Sequence, residues 1–384
     1  MRKKRIGILT GGGDVQPLNS VIKSALEFSQ KNKIELIGFV RGWQGILDND
    51  FIHLNKKKID HSIGGSILKS SRVNLAKIDN GAEKVKSVLG RNCIDGLIVI
   101  GGEDTLSNAF YLKDIPQVLI SKTIDNDVGV LQNNSIVNYF TLGYPTAAEK
   151  ISSFVSLNEG LRTTAYSHER IIIVESMGMH AGWLALSSAM GHPDFIIIPE
   201  FPLNYDKFLE RVAEKYKKKK NLIIVVAEGA RWSDGLYISA DKNETDSFGH
   251  PRFKGVANLL AERMKRDLKK HFDTRNVNSV NPSYLYRSGQ PNALDSSASS
   301  VLGKTAVDIL RSRVINSPIF LTTSFRQNKL TISEYPLNEV EDIDQLHRFV
   351  SERFYDREKL NITSLGKKYL SKIIREFPLL DYKL

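Results

Sequence analysis

Two stretches decide how this chain folds: Ile98-Val99-Ile100-Gly101-Gly102-Glu103-Asp104-Thr105 and Ser121-Lys122-Thr123-Ile124-Asp125-Asn126-Asp127. Each begins apolar and closes on acidic residues, and they lie about one βα unit apart. In an open parallel sheet consecutive strands end at the same edge, and the loops that follow them converge on one crevice where ligands bind. Glu103, Asp104, Asp125 and Asp127 would then face a common point together with Gly101, Gly102 and Lys122. Such a set suits a magnesium-bound polyphosphate better than a carbon skeleton. Hard oxygen ligands hold the metal, while backbone N–H groups and an ammonium take the phosphate charge.

The rest of the chain is compatible with that reading. Its 384 residues suffice for two sizeable domains, and its 41% hydrophobic content is ordinary for an enzyme. The longest apolar runs, 171–174 and 222–227, have the length of buried strands, so no membrane span is expected. Arg2, Lys3, Lys4 and Arg5 run directly into a strand with no signal-peptide apolar region after them. A single cysteine, Cys93, excludes an intrachain disulfide and fits a reducing compartment, so a cytoplasmic location is expected. The net charge of +11 admits a nucleic-acid reading. The lysine runs at 56–58 and 217–220 are nevertheless short and aromatic-poor, and no nucleic-acid-binding motif accompanies them. A basic surface around a site for an anionic substrate is the plainer account, with no nucleic-acid partner.

Strand and helix patterns alternate through the N-terminal half. Residues 5–9 read as a buried strand ending at Gly11-Gly12-Gly13-Asp14, and Pro17 opens an apolar-periodic helix to about Phe28. Residues 34–40, 94–100 and 118–120 read as further strands, which implies a parallel sheet with helices on both faces. A second α/β unit follows, with strands at 170–175, 195–199 and 222–228 and helices at 183–190 and 205–217. Residues 229–255 are polar and turn-rich. A helix is expected at 256–270, a loop at 276–281 leading into another strand, and a helix at 297–311. From Asp342 the chain is charged and amphipathic, which predicts a helical C-terminal extension.

Gly11-Gly12-Gly13-Asp14 lets side-chain-free backbone approach a phosphate at a helix N-terminus, although a glycine turn at a βα junction is often only a tight corner. The spacing is not that of a dinucleotide site. In Thr123-Ile124-Asp125-Asn126-Asp127, one carboxylate can bind magnesium while the other accepts a proton from an attacking hydroxyl. An Asx-rich turn is the alternative there; Lys122 and the nearby Gly-Gly-Glu-Asp favour chemistry.

With these residues assembled, the chain resembles the phosphofructokinases over most of residues 4–330. The pieces occur in family order: Gly11 to Asp14 with Asn19, Gly64-Gly65-Ser66-Ile67-Leu68 with Ser70-Ser71-Arg72, Gly101 to Thr105, Lys122 to Asp127, Met177-Gly178-Met179-His180-Ala181-Gly182-Trp183, Val226-Ala227-Glu228-Gly229-Ala230, and Tyr284-Leu285-Tyr286-Arg287-Ser288-Gly289. The resemblance implies two Rossmann-like three-layer α/β/α domains with the active site in the cleft between them. The donor-binding domain is expected at 1–138 plus about 286–337, the sugar-phosphate domain at 139–285, and the helical extension at 338–384. The implied reaction moves a phosphoryl group to the 1-hydroxyl of fructose 6-phosphate with Mg2+. Asp125 matches the base, and Thr123 and Asp127 match neighbours that position phosphate and magnesium. Glu103 takes the place of a metal-facing aspartate, and Gly11, Gly12, Arg72 and Thr105 fall on the donor side. For the sugar phosphate, Glu228 matches a hydroxyl-binding carboxylate, and Arg170 and Arg287 match arginines that clamp the 6-phosphate by bidentate hydrogen bonds. Met177 and Gly178 contact sugar in that scheme. Singly, Arg170 reads equally as a solvated strand start, Glu228 as a strand-end carboxylate and Met177 as core packing.

Asp104 points to the donor. ATP users resembling this chain usually carry glycine there, and an aspartate brings bulk and negative charge that disfavour a third phosphate while sparing pyrophosphate. Lys122 supports the same choice, and the motif is similar to that of short pyrophosphate-dependent enzymes of actinobacterial type, which act reversibly in glycolysis and gluconeogenesis. ATP remains the alternative donor. The acceptor side departs from the pattern at Met179, at Tyr284 in place of a histidine, and at Asn278 in place of an arginine, with Arg275 nearby. These changes admit two further readings, a silent regulatory paralogue and an enzyme with a shifted sugar-phosphate acceptor. Glu27 stands where nucleotide-regulated members carry a basic residue, so weak nucleotide control is expected. The resemblance also implies a homodimer or homotetramer whose arginines cross into a neighbour's site.

Overall fold

The computed structural model describes the chain except residues 1, 55–58, 130, 133–134, 158, 246–250, 254, 339, 341–342 and 380–384. The lysine run at 56–58 and the start of the expected extension at Asp342 therefore lie outside the described residues. The chain divides into two compact units, one built from 1–146 and 287–348, the other from 147–286 and 349–384.

In the first unit the strands Arg5–Thr10, Glu35–Phe39, Gly96–Gly101, Gln117–Thr123 and Ile319–Arg326 run parallel. Phe51–His53 and Lys329–Pro336 close the two edges antiparallel. The order across the sheet is Lys329–Pro336, Ile319–Arg326, Gln117–Thr123, Gly96–Gly101, Arg5–Thr10, Glu35–Phe39, Phe51–His53, with Leu142–Gly143 paired to Gln117–Thr123. All residues of Gly96–Gly101 are buried, as expected of a strand covered on both faces. One face packs Phe39, Leu97, Val99, Leu119 and Phe320 on the helices Gly81–Arg91 and Glu103–Phe110.

The second unit has a four-stranded parallel sheet ordered Phe195–Ile197, Leu222–Ala227, Ile171–Ser176, Val277–Val280. The helices Tyr205–Lys219 and Val256–Leu268 pack Phe208, Val212, Leu260 and Met264 against it. The run at 217–220 ends the first of these helices, where Lys219 and Arg162 reach buried Asp194 at 2.9 and 2.8 Å. Burial opposes ionisation of Asp194, yet these cations hold its carboxyl below the ordinary range.

Three local expectations change. The segment at 276–281 contains the strand Val277–Val280 itself, because pairing with Ile171–Ser176 outweighs its polar Asn-Ser composition. The helix expected at 297–311 starts earlier, at Ala293, where the Asn292 side chain accepts the Asp295 N–H. The segment 338–384 holds one α-helix among its described residues, Ser364–Leu370, with a short 3-10 turn and the two-residue strands Tyr355–Asp356 and Asn361–Ile362.

Asp295 is fully buried in the first unit and accepts the N–H groups of Gly143 and Thr146, each at 2.9 Å, and the Thr146 hydroxyl. Removing this carboxylate strands buried donors, so Asp295→Ala should lower unfolding free energy by about 3 kcal/mol in urea titrations. A loss below about 1 kcal/mol would mean that water replaces the network.

Candidate active site

Register brings the first unit's loops together. Thr10 pairs with Ile100 and Gly101 with Ser121, so the chain leaves three adjacent parallel strands at one edge. Gly11 donates its N–H to Ile100 O at 3.0 Å, and Gly12 donates to Ser71 O at 3.2 Å, drawing the 70–72 segment to the glycine turn. Gly12 has φ +78°, a left-handed conformation that suits glycine. Gly11 has no room for a side chain, because a Cβ there would lie 2.3 Å from Thr105 Oγ1. Thr105, expected among donor contacts, is thus a buried packing partner of the turn, with its carbonyl taken by Trp43 Nε1.

Lys122 is only 2% exposed, and its ammonium donates to the Gly13 carbonyl. Burial, with Arg287 and Arg72 nearby, lowers its pKa to about 7 against the opposing pull of Asp14 and Asp125. Arg287 lies in this unit, its Nη1 3.4 Å from Asp14 O. Asp104 is exposed in the first turn of the helix Glu103–Phe110, directly after Gly101 and Gly102.

The acidic loop is held by its own residues. Thr123 Oγ1 accepts the Asp125 N–H at 3.1 Å, Asn126 takes φ +56°, and Asn126 Oδ1 accepts the Thr141 N–H at 3.0 Å. Asp127 Oδ1 is buried with no hydrogen-bond partner among the described residues. Burial raises the Asp127 pKa, and Glu103 adds to the rise. A buried carboxylate with an unmatched oxygen and a second carboxylate close enough to oppose its ionisation fit a small divalent cation such as Mg2+.

Sequence reasoning missed the segment before Phe349. His347 Nε2 lies 3.1 Å from Glu103 Oε2, and Glu103, Asp344 and His347 offer ligand atoms within 4.8 Å of one another. No periodicity marks these residues, because their placement comes from long-range pairing such as the Val128–His347 bridge.

In the second unit Met177 and Gly178 follow the strand Ile171–Ser176, and Glu228 follows its parallel neighbour Leu222–Ala227. Glu228 Oε1 accepts the Gly178 N–H at 3.1 Å, and Gly178 has φ +125°. Arg170 sits before Ile171, a strand length away, roughly 20 Å from Gly178 and Glu228. Its Nη1 donates to Thr164 Oγ1 at 2.5 Å. Asn278 lies on the edge strand opposite Ile172, near Arg170's end of the sheet, and Arg275 is exposed and paired with Asp273. Tyr284 is 76% exposed. Within this unit, then, Met177, Gly178 and Glu228 come together, and Arg170 does not join them.

Comparison with known proteins gives these pieces a context. The family model described as Phosphofructokinase matches residues 5–310. A pyrophosphate--fructose 6-phosphate 1-phosphotransferase of Dictyoglomus thermophilum is 37% identical over 316 residues, covering 81% of this chain and 87% of that protein. ATP-dependent 6-phosphofructokinase 3 of Streptomyces coelicolor is 36% identical over 311 residues, covering 79% and 86%. The crystal structure of a pyrophosphate-dependent phosphofructokinase from Marinobacter aquaeolei superposes with a TM-score of 0.80 at 22% identity, covering 99% of this chain and 94% of that one, a likeness of fold.

A buried lysine poised near neutrality should take up a proton when a polyanion binds beside it. Calorimetric titration with inorganic pyrophosphate, in buffers of different ionisation enthalpy, should show about one more proton taken up by the native protein than by Lys122→Met at about pH 8. Below the lysine's own pKa it is already charged, so the difference should nearly vanish at about pH 6.

Proposed function

Because the chain belongs to the phosphofructokinase family and is a phosphotransferase, we propose that its donor is pyrophosphate and that it phosphorylates the 1-hydroxyl of fructose 6-phosphate reversibly. Asp104 carries this reading. It stands exposed in the first turn of the helix that follows Gly101 and Gly102, where its bulk and negative charge disfavour a longer polyphosphate chain. The relatives' names include both donors at similar identity, so the choice rests on this residue.

In the proposed reaction Asp125 accepts the proton of the sugar's 1-hydroxyl as that oxygen attacks the terminal phosphorus. A new O–P bond forms, the bridging P–O bond of pyrophosphate breaks, and orthophosphate leaves with the electron pair. The glycine N–H groups, Lys122, Arg72 and Arg287 neutralise phosphate charge, and Thr123 fixes the start of the acidic loop. Mg2+ held through Glu103 and Asp127 supplies further neutralisation of the phosphate oxygens when bound. Glu228, aimed by the Gly178 N–H, receives a sugar hydroxyl, with Met177 and Gly178 lining that side.

The distance of Arg170 from Glu228 supports a homo-oligomer with shared sites. A sugar phosphate at Glu228 needs a phosphate ligand from elsewhere, and Arg170 of a neighbouring copy supplies it.

Turnover should therefore require pyrophosphate, read as fructose 1,6-bisphosphate formed with either donor; turnover with ATP alone would reverse the donor assignment, and none with either would reject the reading. Asp104→Gly should gain ATP use, and Asp125→Ala should lose about 10³-fold in kcat with the fold intact by circular dichroism. Arg170→Ala and Asp125→Ala chains, each inactive, should recover about a quarter of native activity when mixed after reversible dissociation, since half the dimers then carry one intact site. Absence of recovery would place Arg170 outside any shared site.

A further inference from the structure

Arg348 lies beyond the residues matched by the family model, and it is 1% exposed. Its Nε donates to Asn126 O at 3.1 Å, and Nη1 donates to the carbonyls of Asn138 and, at 3.4 Å, Tyr139. Its backbone N–H donates to Asp127 O at 2.7 Å. One side chain thus joins the acidic loop to the returning segment at 138–139, and the same residue's main chain holds the loop's last carboxylate-bearing position. Asn138 is itself fixed, its Oδ1 accepting the Thr323 N–H at 2.9 Å from the strand Ile319–Arg326. The loop needs such support because Asn126 is left-handed and the segment leaves the sheet at Thr123. A guanidinium can serve several carbonyls at fixed angles, which the single ammonium of a lysine cannot.

We propose that Arg348 is a positioning residue for phosphoryl transfer: its guanidinium ties the Asn126 carbonyl to those of Asn138 and Tyr139 while its N–H holds the Asp127 carbonyl, and together they fix where Asp125 and Asp127 point. This rests on the roles given above to those carboxylates. In-line transfer is sensitive to displacement, and a shift of about 1 Å can cost about 100-fold in rate. Ground-state binding, made largely by other residues, should change little.

The test uses full-length Arg348→Lys and Arg348→Ala. Relative to native protein, kcat should fall about 100-fold while KM for fructose 6-phosphate and for the donor stays within about threefold. Millimolar guanidinium should restore about tenfold in Arg348→Ala and nothing in Asp125→Ala, a rescue that a general loss of packing would not show. Amide hydrogen exchange should quicken at 123–129 and stay unchanged in Arg5–Thr10. Unchanged kcat, a loss divided equally between kcat and KM, or exchange that quickens throughout the first unit would each overturn the proposal. If Arg348→Ala does not fold, Arg348→Lys carries the same readouts. Should the native protein turn over neither donor, the functional reading fails separately, and unchanged exchange at 123–129 still rejects the clamp.

Discussion

The register of three parallel strands governs everything at the first unit's site. With Thr10 opposite Ile100 and Gly101 opposite Ser121, the glycine turn, the start of the helix Glu103–Phe110 and the acidic loop must leave one edge together. That edge is crowded, and the crowding sets the chemistry. Thr105 fills the space that a side chain on Gly11 would take, and Lys122 is driven beneath the turn with its ammonium on the Gly13 carbonyl. Desolvation then lowers the lysine's pKa, so the same packing that shapes the phosphate cradle also adjusts its charge.

Much of this was legible in the sequence because it is written locally. Ile98-Val99-Ile100 and Val118-Leu119-Ile120 are the continuous apolar runs of doubly covered strands, and glycines mark where the backbone turns sharply. What stayed hidden depends on partners far along the chain. Val277–Val280 looks like a loop until Ile171–Ser176 lies beside it, and the half-exposed hairpin Ile319–Arg326 with Lys329–Pro336 carries no strong apolar run on its outer strand. Arg348 gives no local sign at all, since its partners Asn126 and Asn138 are more than two hundred residues away.

The second unit divides its polar groups between the two ends of one sheet. Strand ends at Ser176 and Ala227 bring Gly178 and Glu228 into hydrogen-bond contact, whereas Arg170 and Asn278 belong to the other end. Sequence motifs give no hint of this division, because residues that are close in sequence stand about 20 Å apart when a six-residue strand separates them. The departures at Asn278 and Tyr284 consequently differ in kind. Asn278 alters the end that holds Arg170, while Tyr284 is an exposed tip beyond Val277–Val280.

The chain passes from one unit to the other after Thr146, after Tyr286 and after Arg348. A ribosome therefore releases most of the second unit before it has made the strand Ile319–Arg326, which must insert beside Gln117–Thr123 to complete the first sheet. Val118, Leu119 and Ile120 lack that partner through the interval, an edge open to unintended strand pairing. The contiguous stretch 147–286 can collapse as it emerges, whereas the first unit waits for 287–348 and the second unit waits longer still for 349–384.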